Sequence, residues 1–181
     1  MDRTAFAKAL LDCGAVQFGT FTLASGKTSD WYCDIKRAVT RPELLRHIAK
    51  GMAPHAPGHA RIAGVELGAV PIAAAVSLET GLPYLMVRKA AKEHGTRKDF
   101  EGELTAGDRV LFVEDVVTTA GTLARSIEGL RAAGAVVDDA VAVVDREEGG
   151  REALQAIGVR LSSLLTANDL RATRSGAGSL K

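Results

Sequence analysis

The sequence predicts a single α/β domain built on a mainly parallel central sheet flanked by helices, and three observations carry that expectation. Short apolar runs at residues 62–65, 84–87, 110–113 and 140–144 are rich in Val, Leu and Ile, as strands buried on both faces are. Helix-like stretches at 72–80 and 123–133 alternate with these runs, the second closed by Gly134, and such alternation implies parallel pairing. A chain of 181 residues that is 46% hydrophobic can bury a substantial core, yet needs only one domain, spanning 1–181.

The elements follow in order. Phe6, Leu10 and Cys13 keep helical spacing after Asp2. Residues 16–23 shift towards alternation and end in the turn-rich stretch 24–30, so a hairpin should lead into 31–35. Pro42 suits the first turn of a helix that carries Leu45, Ile48, Ala49 and Met52 and stops at Ala53, ahead of the loop 54–58. Residues 88–103 are charged, interrupted by Gly95 and Gly102 and without an apolar stripe, which predicts a loop longer than most connections in a compact domain. The Ser-, Gly- and Ala-rich tail 173–181 should fray.

Bulk charge excludes several roles. Lys plus Arg number 23 against 22 Asp plus Glu, so a net charge of +1 gives no long-range attraction to nucleic acid or an acidic membrane. The two cysteines, Cys13 and Cys33, form no C-x-x-C pair and are too few for a disulfide framework, which suits a reducing, cytoplasmic setting. The N-terminus lacks the apolar core of a signal peptide, and no run of about 18 apolar residues occurs, so a soluble protein is expected.

The chemistry concentrates at the ends of the predicted strands, where parallel sheets bind their ligands. In VLFVEDVVTTAGT, residues 110–122, Glu114 and Asp115 follow four apolar residues. Thr118, Thr119, Ala120, Gly121 and Thr122 then lead into a helix containing Leu123, Ile127 and Leu130. Free backbone N–H groups and the dipole at a helix start make a phosphate site. Neither G-x-x-x-x-G-K-[ST] nor G-x-G-x-x-G is present. Two carboxylates beside an anion site would repel a polyphosphate. They suit sugar hydroxyls or a divalent ion instead, and the ligand that combines these features is a phosphorylated sugar. The plainer alternative is a strand ending in solvated acids before a Thr-capped helix.

Three other segments converge on the same end. RKAAKEHG, residues 88–95, spaces Arg88, Lys89, Lys92 and His94 so that they could neutralise a departing diphosphate, although the segment could also be a solvated hairpin. GVELGAVP, residues 64–71, offers Gly64 and Gly68 for close backbone approach or simply for a tight turn. Arg146 ends the run 140–144, with a planar fork suited to a carboxylate or imide edge, or to a surface pairing with Glu147 or Glu148. His55 and His59 lie among Pro54, Pro57 and Gly58, which deny them a shared helix face for a metal, and His47 reads as a solvent-facing or capping residue.

Residues 110–122 resemble the phosphoribosyl-diphosphate motif of the type I phosphoribosyltransferases, with Ala120 where many members carry Gly. The loop RKAAKEHG, the segment VDREEGG and the N-terminal FGTFTLASGKTSDWYCD resemble those of the orotate phosphoribosyltransferase family. The resemblance, from about Phe18 to Arg146, implies the type I fold with a hood of about residues 1–40. It implies transfer of ribose 5-phosphate from 5-phosphoribosyl 1-diphosphate to orotate. Lys92, His94 and Asp115 would be catalytic. Arg88, Lys89, Lys92, His94, Glu114, Asp115, Val116, Val117 and residues 118–122 would hold phosphoribosyl diphosphate, with Glu66, Leu67, Gly68 and Ala69 as the diphosphate loop.

Thr118 and Arg146 would hold orotate, which Tyr32 and Cys33 would approach through their main chain. Lys27 is the nearest substitute for a lysine that one branch carries at the position of Ala24. Magnesium would be bound mainly through substrate and water, with no dedicated protein cage, and the protein would be a homodimer whose lid partly serves the neighbouring subunit. The rival readings are a purine or uracil phosphoribosyltransferase and a non-catalytic regulator sensing phosphoribosyl diphosphate.

Overall fold

The computed structural model describes residues 1–22, 26, 28–89 and 99–177, so Ala24, Lys27, Lys92 and His94 lie outside the described residues. The first helix, α1 (Arg3–Asp12), is capped by Asp2, whose carboxylate accepts a hydrogen bond from the Ala5 N–H at 2.8 Å. Strands β1 (Val16–Thr22) and β2 (Thr28–Cys33) then form the expected antiparallel hairpin, with Phe18 opposite Trp31 and Val16 opposite Cys33, although β2 begins inside the stretch expected to turn and ends at Cys33 rather than Ile35.

A short helix α2 (Lys36–Val39), absent from the sequence-based expectation, precedes α3 (Pro42–Met52). Pro42 sits in the first turn of α3 as predicted, and a single 3-10 turn (Ala53–His55) follows. The inward face of α3 carries Leu44, Ile48, Ala49 and Met52, while Leu45 is only partly buried.

The central sheet is made of β3 (Arg61–Val65), β4 (Tyr84–Val87), β5 (Phe100–Glu101), β6 (Arg109–Val117), β7 (Val136–Asp145) and β8 (Arg160–Thr166). Its order is β5-β4-β3-β6-β7-β8, parallel throughout except where β5 runs antiparallel to β4. Helices α4 (Val70–Thr80), α5 (Gly121–Ala132), α6 (Gly150–Ala156) and α7 (Ala167–Ala177) complete the chain. Residues 173–177, which fall in the stretch expected to fray, continue α7.

Both faces of the sheet are covered, which is why its strands read as unbroken apolar runs. Leu111 and Val113 pack on one side with Ile62, Val141, Val143, Ile48 and Ile72. Their neighbours Val110 and Phe112 pack on the other with Ala63, Ala140, Ala142, Ile127 and Leu130. Each fully buried Val, Leu, Ile or Phe among them contributes roughly 1.5–3 kcal/mol against exposure.

The chief departure concerns β6. It continues four residues past the predicted limit at Val113, because β7 goes on pairing with it: Glu114 lies opposite Ala142, Val116 opposite Val144 and Val117 opposite Asp145. The acidic pair is therefore held inside the sheet's carboxyl end, where ladder hydrogen bonds fix its backbone.

Candidate active site

A cavity of about 560 Å³ opens at the carboxyl ends of β3 and β6, lined by Glu66, Leu67, Gly68, Lys89, Glu114, Asp115, residues 116–122 and Arg125, with Lys36 from α2. Every residue of the predicted phosphate turn reaches it. Val117 and Ala120 are buried and fix the turn, whereas Thr118, Thr119, Gly121 and Thr122 are exposed. Ala120 adopts the left-handed region at φ 60°, immediately before α5. A glycine there would avoid the strain on a Cβ. The turn thus presents the unpaired first N–H groups of a 12-residue helix to the cavity, the arrangement that binds a phosphate. Arg125, one turn into α5, donates from Nη2 to Thr122 Oγ1 at 3.3 Å and adds a cation that the sequence reading missed.

The carboxylates are ordered by their own backbone. Glu114 Oε1 accepts from the Asp115 N–H at 3.0 Å, and Asp115 Oδ1 accepts from the Val116 N–H at 2.7 Å. Gly68 is pressed against the second acid: a Cβ built on it would lie 1.9 Å from Asp115 Oδ2. The close backbone approach expected of Gly68 is therefore made to the protein's own carboxylate. Leu67 beside it is 71% exposed at the tip of the loop, and the Glu66–Leu67 peptide is cis.

Burial raises the Glu114 carboxyl well above the usual carboxylate range, and the neighbouring Asp115 charge adds to the rise. A carboxyl whose folded-state pKa is raised contributes stability that is complete below the unfolded value and is lost as pH rises through the folded one. Glu114→Gln should therefore stabilise the ligand-free protein at neutral pH and flatten the decline in stability above about pH 4.5. Urea midpoints measured across that range check this; an unchanged profile would contradict it.

Lys36, also unforeseen, lines the cavity with its ammonium 2.6 Å from Asp34. That hydrogen bond raises its pKa, so the charge is secure at neutral pH. Nothing marked it in the sequence beyond a single Lys after a strand.

The predicted lid is anchored at its base. The Lys89 N–H donates to Glu66 Oε1 at 3.0 Å, the Arg88 N–H to the Asp99 carbonyl at 2.8 Å, and Val87 pairs with Phe100. Lys89 lines the cavity, whereas the Arg88 guanidinium turns aside to Glu101 at 2.6 Å.

Arg146 does not line that cavity; it sits at the end of β7, its N–H bonded to the Val117 carbonyl at 2.9 Å. Its side chain is buried, pairs with Glu148 at 2.7 Å and stacks over Trp31 of the hood at 4.2 Å. Arg146 thus pairs with Glu148, as its sequence neighbourhood allows, but not at the surface, because the pair's Arg end is buried. Cys33, whose surroundings include both Arg146 and Asp115, has its thiol pushed up to about 12, chiefly by burial, which leaves no thiolate for nucleophilic work.

His59 and His47 lie away from that cavity. His59 lies near Asp139 at 3.4 Å, towards the opposite end of β7. The His47 ring packs against Phe6 with centroids 4.6 Å apart rather than capping a helix, and burial holds it below the usual imidazole range. Among the described residues, no three His, Cys, Asp or Glu side chains gather as metal ligands.

A parallel sheet whose central strand ends in an acidic pair and a phosphate turn defines a class. The phosphoribosyl transferase domain family matches residues 43–163, and the chain belongs to it. A relative from Methanopyrus kandleri, an orotate phosphoribosyltransferase, is 47% identical over 174 residues, covering 96% of this chain and 94% of its own. Among solved structures, the orotate phosphoribosyltransferase from Aeropyrum pernix superposes with a TM-score of 0.81 at 33% identity, covering 94% of this chain and 99% of its own. The UMP synthase of Leishmania donovani superposes at 0.84 with 34% identity over 98% of this chain, which spans 39% of that longer protein. No helix among the described residues is long and apolar enough to cross a membrane.

Proposed function

We propose that the protein is an orotate phosphoribosyltransferase, joining N1 of orotate to C1 of 5-phosphoribosyl 1-diphosphate in the synthesis of pyrimidine nucleotides. The bond from C1 to the diphosphate oxygen breaks, diphosphate departs with the electron pair, and N1 gives up its proton to form orotidine 5'-phosphate. The observation that carries the reading is the acidic pair held in the sheet directly before an amide-lined phosphate turn, in a chain that is 47% identical to an orotate phosphoribosyltransferase.

The 5'-phosphate sits on the turn 118–122 at the start of α5, with Arg125 beside it. Glu114 and Asp115 accept hydrogen bonds from the ribose hydroxyls, and so turn C1 towards the acceptor. Residues 66–69 and Lys89 face the diphosphate, while Lys92 and His94 complete its neutralisation as it leaves. Closure over the site excludes water from the cation-like sugar carbon. Arg146 and Thr118 grip orotate against the hood.

Glu114 and Asp115 are hard oxygen donors at the rim of an anion site, which fits magnesium held largely by substrate oxygens and water. When bound, the ion supplies charge compensation for the diphosphate. The working form is a cytoplasmic homodimer in which some lid cations serve the partner's site; sedimentation at working concentration tests the dimer, and a monomer would refute it.

One assay tests the reading as a whole. Protein, magnesium and phosphoribosyl diphosphate are mixed with each candidate base, and base consumption and diphosphate release are followed. Turnover is expected with orotate alone. Turnover of adenine, hypoxanthine or uracil instead would move the acceptor, and no turnover with any base would leave a sensing regulator.

A further inference from the structure

We propose that Trp31, Ser29 and Glu148 are positioning residues for acceptor recognition, a clamp that fixes the plane of the Arg146 guanidinium. The inference rests on the reading of Arg146 as an orotate-binding residue.

Three contacts from two separate parts of the chain converge on this one group. Arg146 Nε donates to Glu148 Oε1 at 2.7 Å, and Nη2 donates to Ser29 Oγ at 3.2 Å. The guanidinium carbon stands 4.2 Å from the centre of the Trp31 ring, which is 2% exposed and itself stacked with Phe18 at 6.3 Å between centroids. Ser29 Oγ donates in turn to the Trp31 carbonyl at 2.7 Å, so the hydroxyl is oriented before it meets the arginine. Nη1 has no hydrogen-bond partner among the described residues.

A flexible side chain is thus held on one face, at Nε and at Nη2, leaving Nη1 to meet a ligand. A planar fork discriminates a flat anionic ring only when its own plane is fixed, because a freely turning guanidinium loses that geometric selectivity. The clamp also joins hood to sheet: two of its members lie on β2, and Glu148 follows the end of β7. The placement of the hood thus bears directly on the geometry of Arg146.

Trp31 is the only tryptophan in the chain, so it reports on the site directly. The experiment measures the KM for orotate, the KM for phosphoribosyl diphosphate and kcat for Arg146→Ala, Glu148→Ala, Glu148→Gln, Ser29→Ala and Trp31→Phe. Orotate titrations of the intrinsic fluorescence, corrected for absorption by the pyrimidine, accompany them.

Glu148→Ala is expected to raise the orotate KM on the order of tenfold, as loss of a charged hydrogen bond does, while the phosphoribosyl diphosphate KM stays unchanged. Glu148→Gln keeps an acceptor for Nε and should recover most of the loss. Orotate should change Trp31 emission in the wild type and not in Arg146→Ala. If Arg146→Ala raises the orotate KM but Glu148→Ala and Trp31→Phe leave it alone, the clamp is refuted and the acceptor reading stands. Both KM values rising together in Glu148→Ala would mark a merely structural role and also refute it. If Arg146→Ala itself leaves the orotate KM unchanged, the reading of Arg146 falls and the clamp with it.

Discussion

Gly68→Ala is expected to lower kcat/KM on the order of 10²-fold while leaving the protein folded, the scale that a misplacement of about 1 Å can produce. The added methyl would lie 1.9 Å from Asp115 Oδ2 and 2.7 Å from its Cγ, distances no real contact allows. What must yield is the end of a side chain rather than backbone, and Gly68 does not occupy the left-handed region, so alanine meets no strain of its own. Asp115 would swing away, giving up its bond to the Val116 N–H and with it the orientation that the proposed role at the ribose requires. Stability should change by less than about 1 kcal/mol, since no core atom is displaced. Kinetics and urea denaturation on the same preparation decide the matter. A loss of activity matched by a loss of stability would point to disruption of the fold, and full activity would show that the carboxylate's position is immaterial.

The carboxylate that Gly68 steadies was legible in the sequence, but its setting was not. Residues 110–113 announced a strand through four consecutive apolar side chains, and the charges of Glu114 and Asp115 then suggested its end. Pairing overrode that local signal, because β7 runs alongside to Asp145 and the ladder does not depend on side-chain polarity. The same limitation explains β8: the edge strand RLSSLLT mixes Ser and Arg with its leucines, since its outer side needs less apolar cover. In α7, Asp169 answers Arg3 of α1 at 2.6 Å, and Leu170 is buried, so tertiary contacts hold the first turn of a helix that runs on into the Ser-, Gly- and Ala-rich stretch.

Site residues divided along similar lines. Those within one contiguous stretch, from Glu114 to Thr122, could be read from order alone, because one strand, one turn and one helix carry them. Lys36 and Arg125 could not, since each reaches the cavity only through the packing of α2 and α5. Arg146 was recognisable as a planar cation at a strand end, yet its burial depended on Trp31, 115 positions earlier, which no local pattern could reveal.

Lys92→Ala is expected to lower turnover by roughly 10²–10³-fold, the usual consequence of removing one group aimed at charge that develops in the transition state. The departing diphosphate gains negative charge as the bond to C1 breaks, so the cations that matter most are those not already committed. Of those lining the cavity, Lys36 is paired with Asp34, and Arg125 is bonded to Thr122 in the phosphate turn. Arg88 is turned to Glu101. Lys89 alone would leave the leaving group poorly compensated, and the segment whose ends Lys89 and Asp99 anchor contains Lys92 and His94. Orotidine 5'-phosphate carries no diphosphate, so its affinity should change little in the variant. In the reverse reaction the KM for diphosphate should rise. Measuring turnover, nucleotide affinity and the diphosphate KM on one variant separates leaving-group stabilisation from general damage: unchanged turnover, or an equal loss of nucleotide binding, would remove Lys92 from this role.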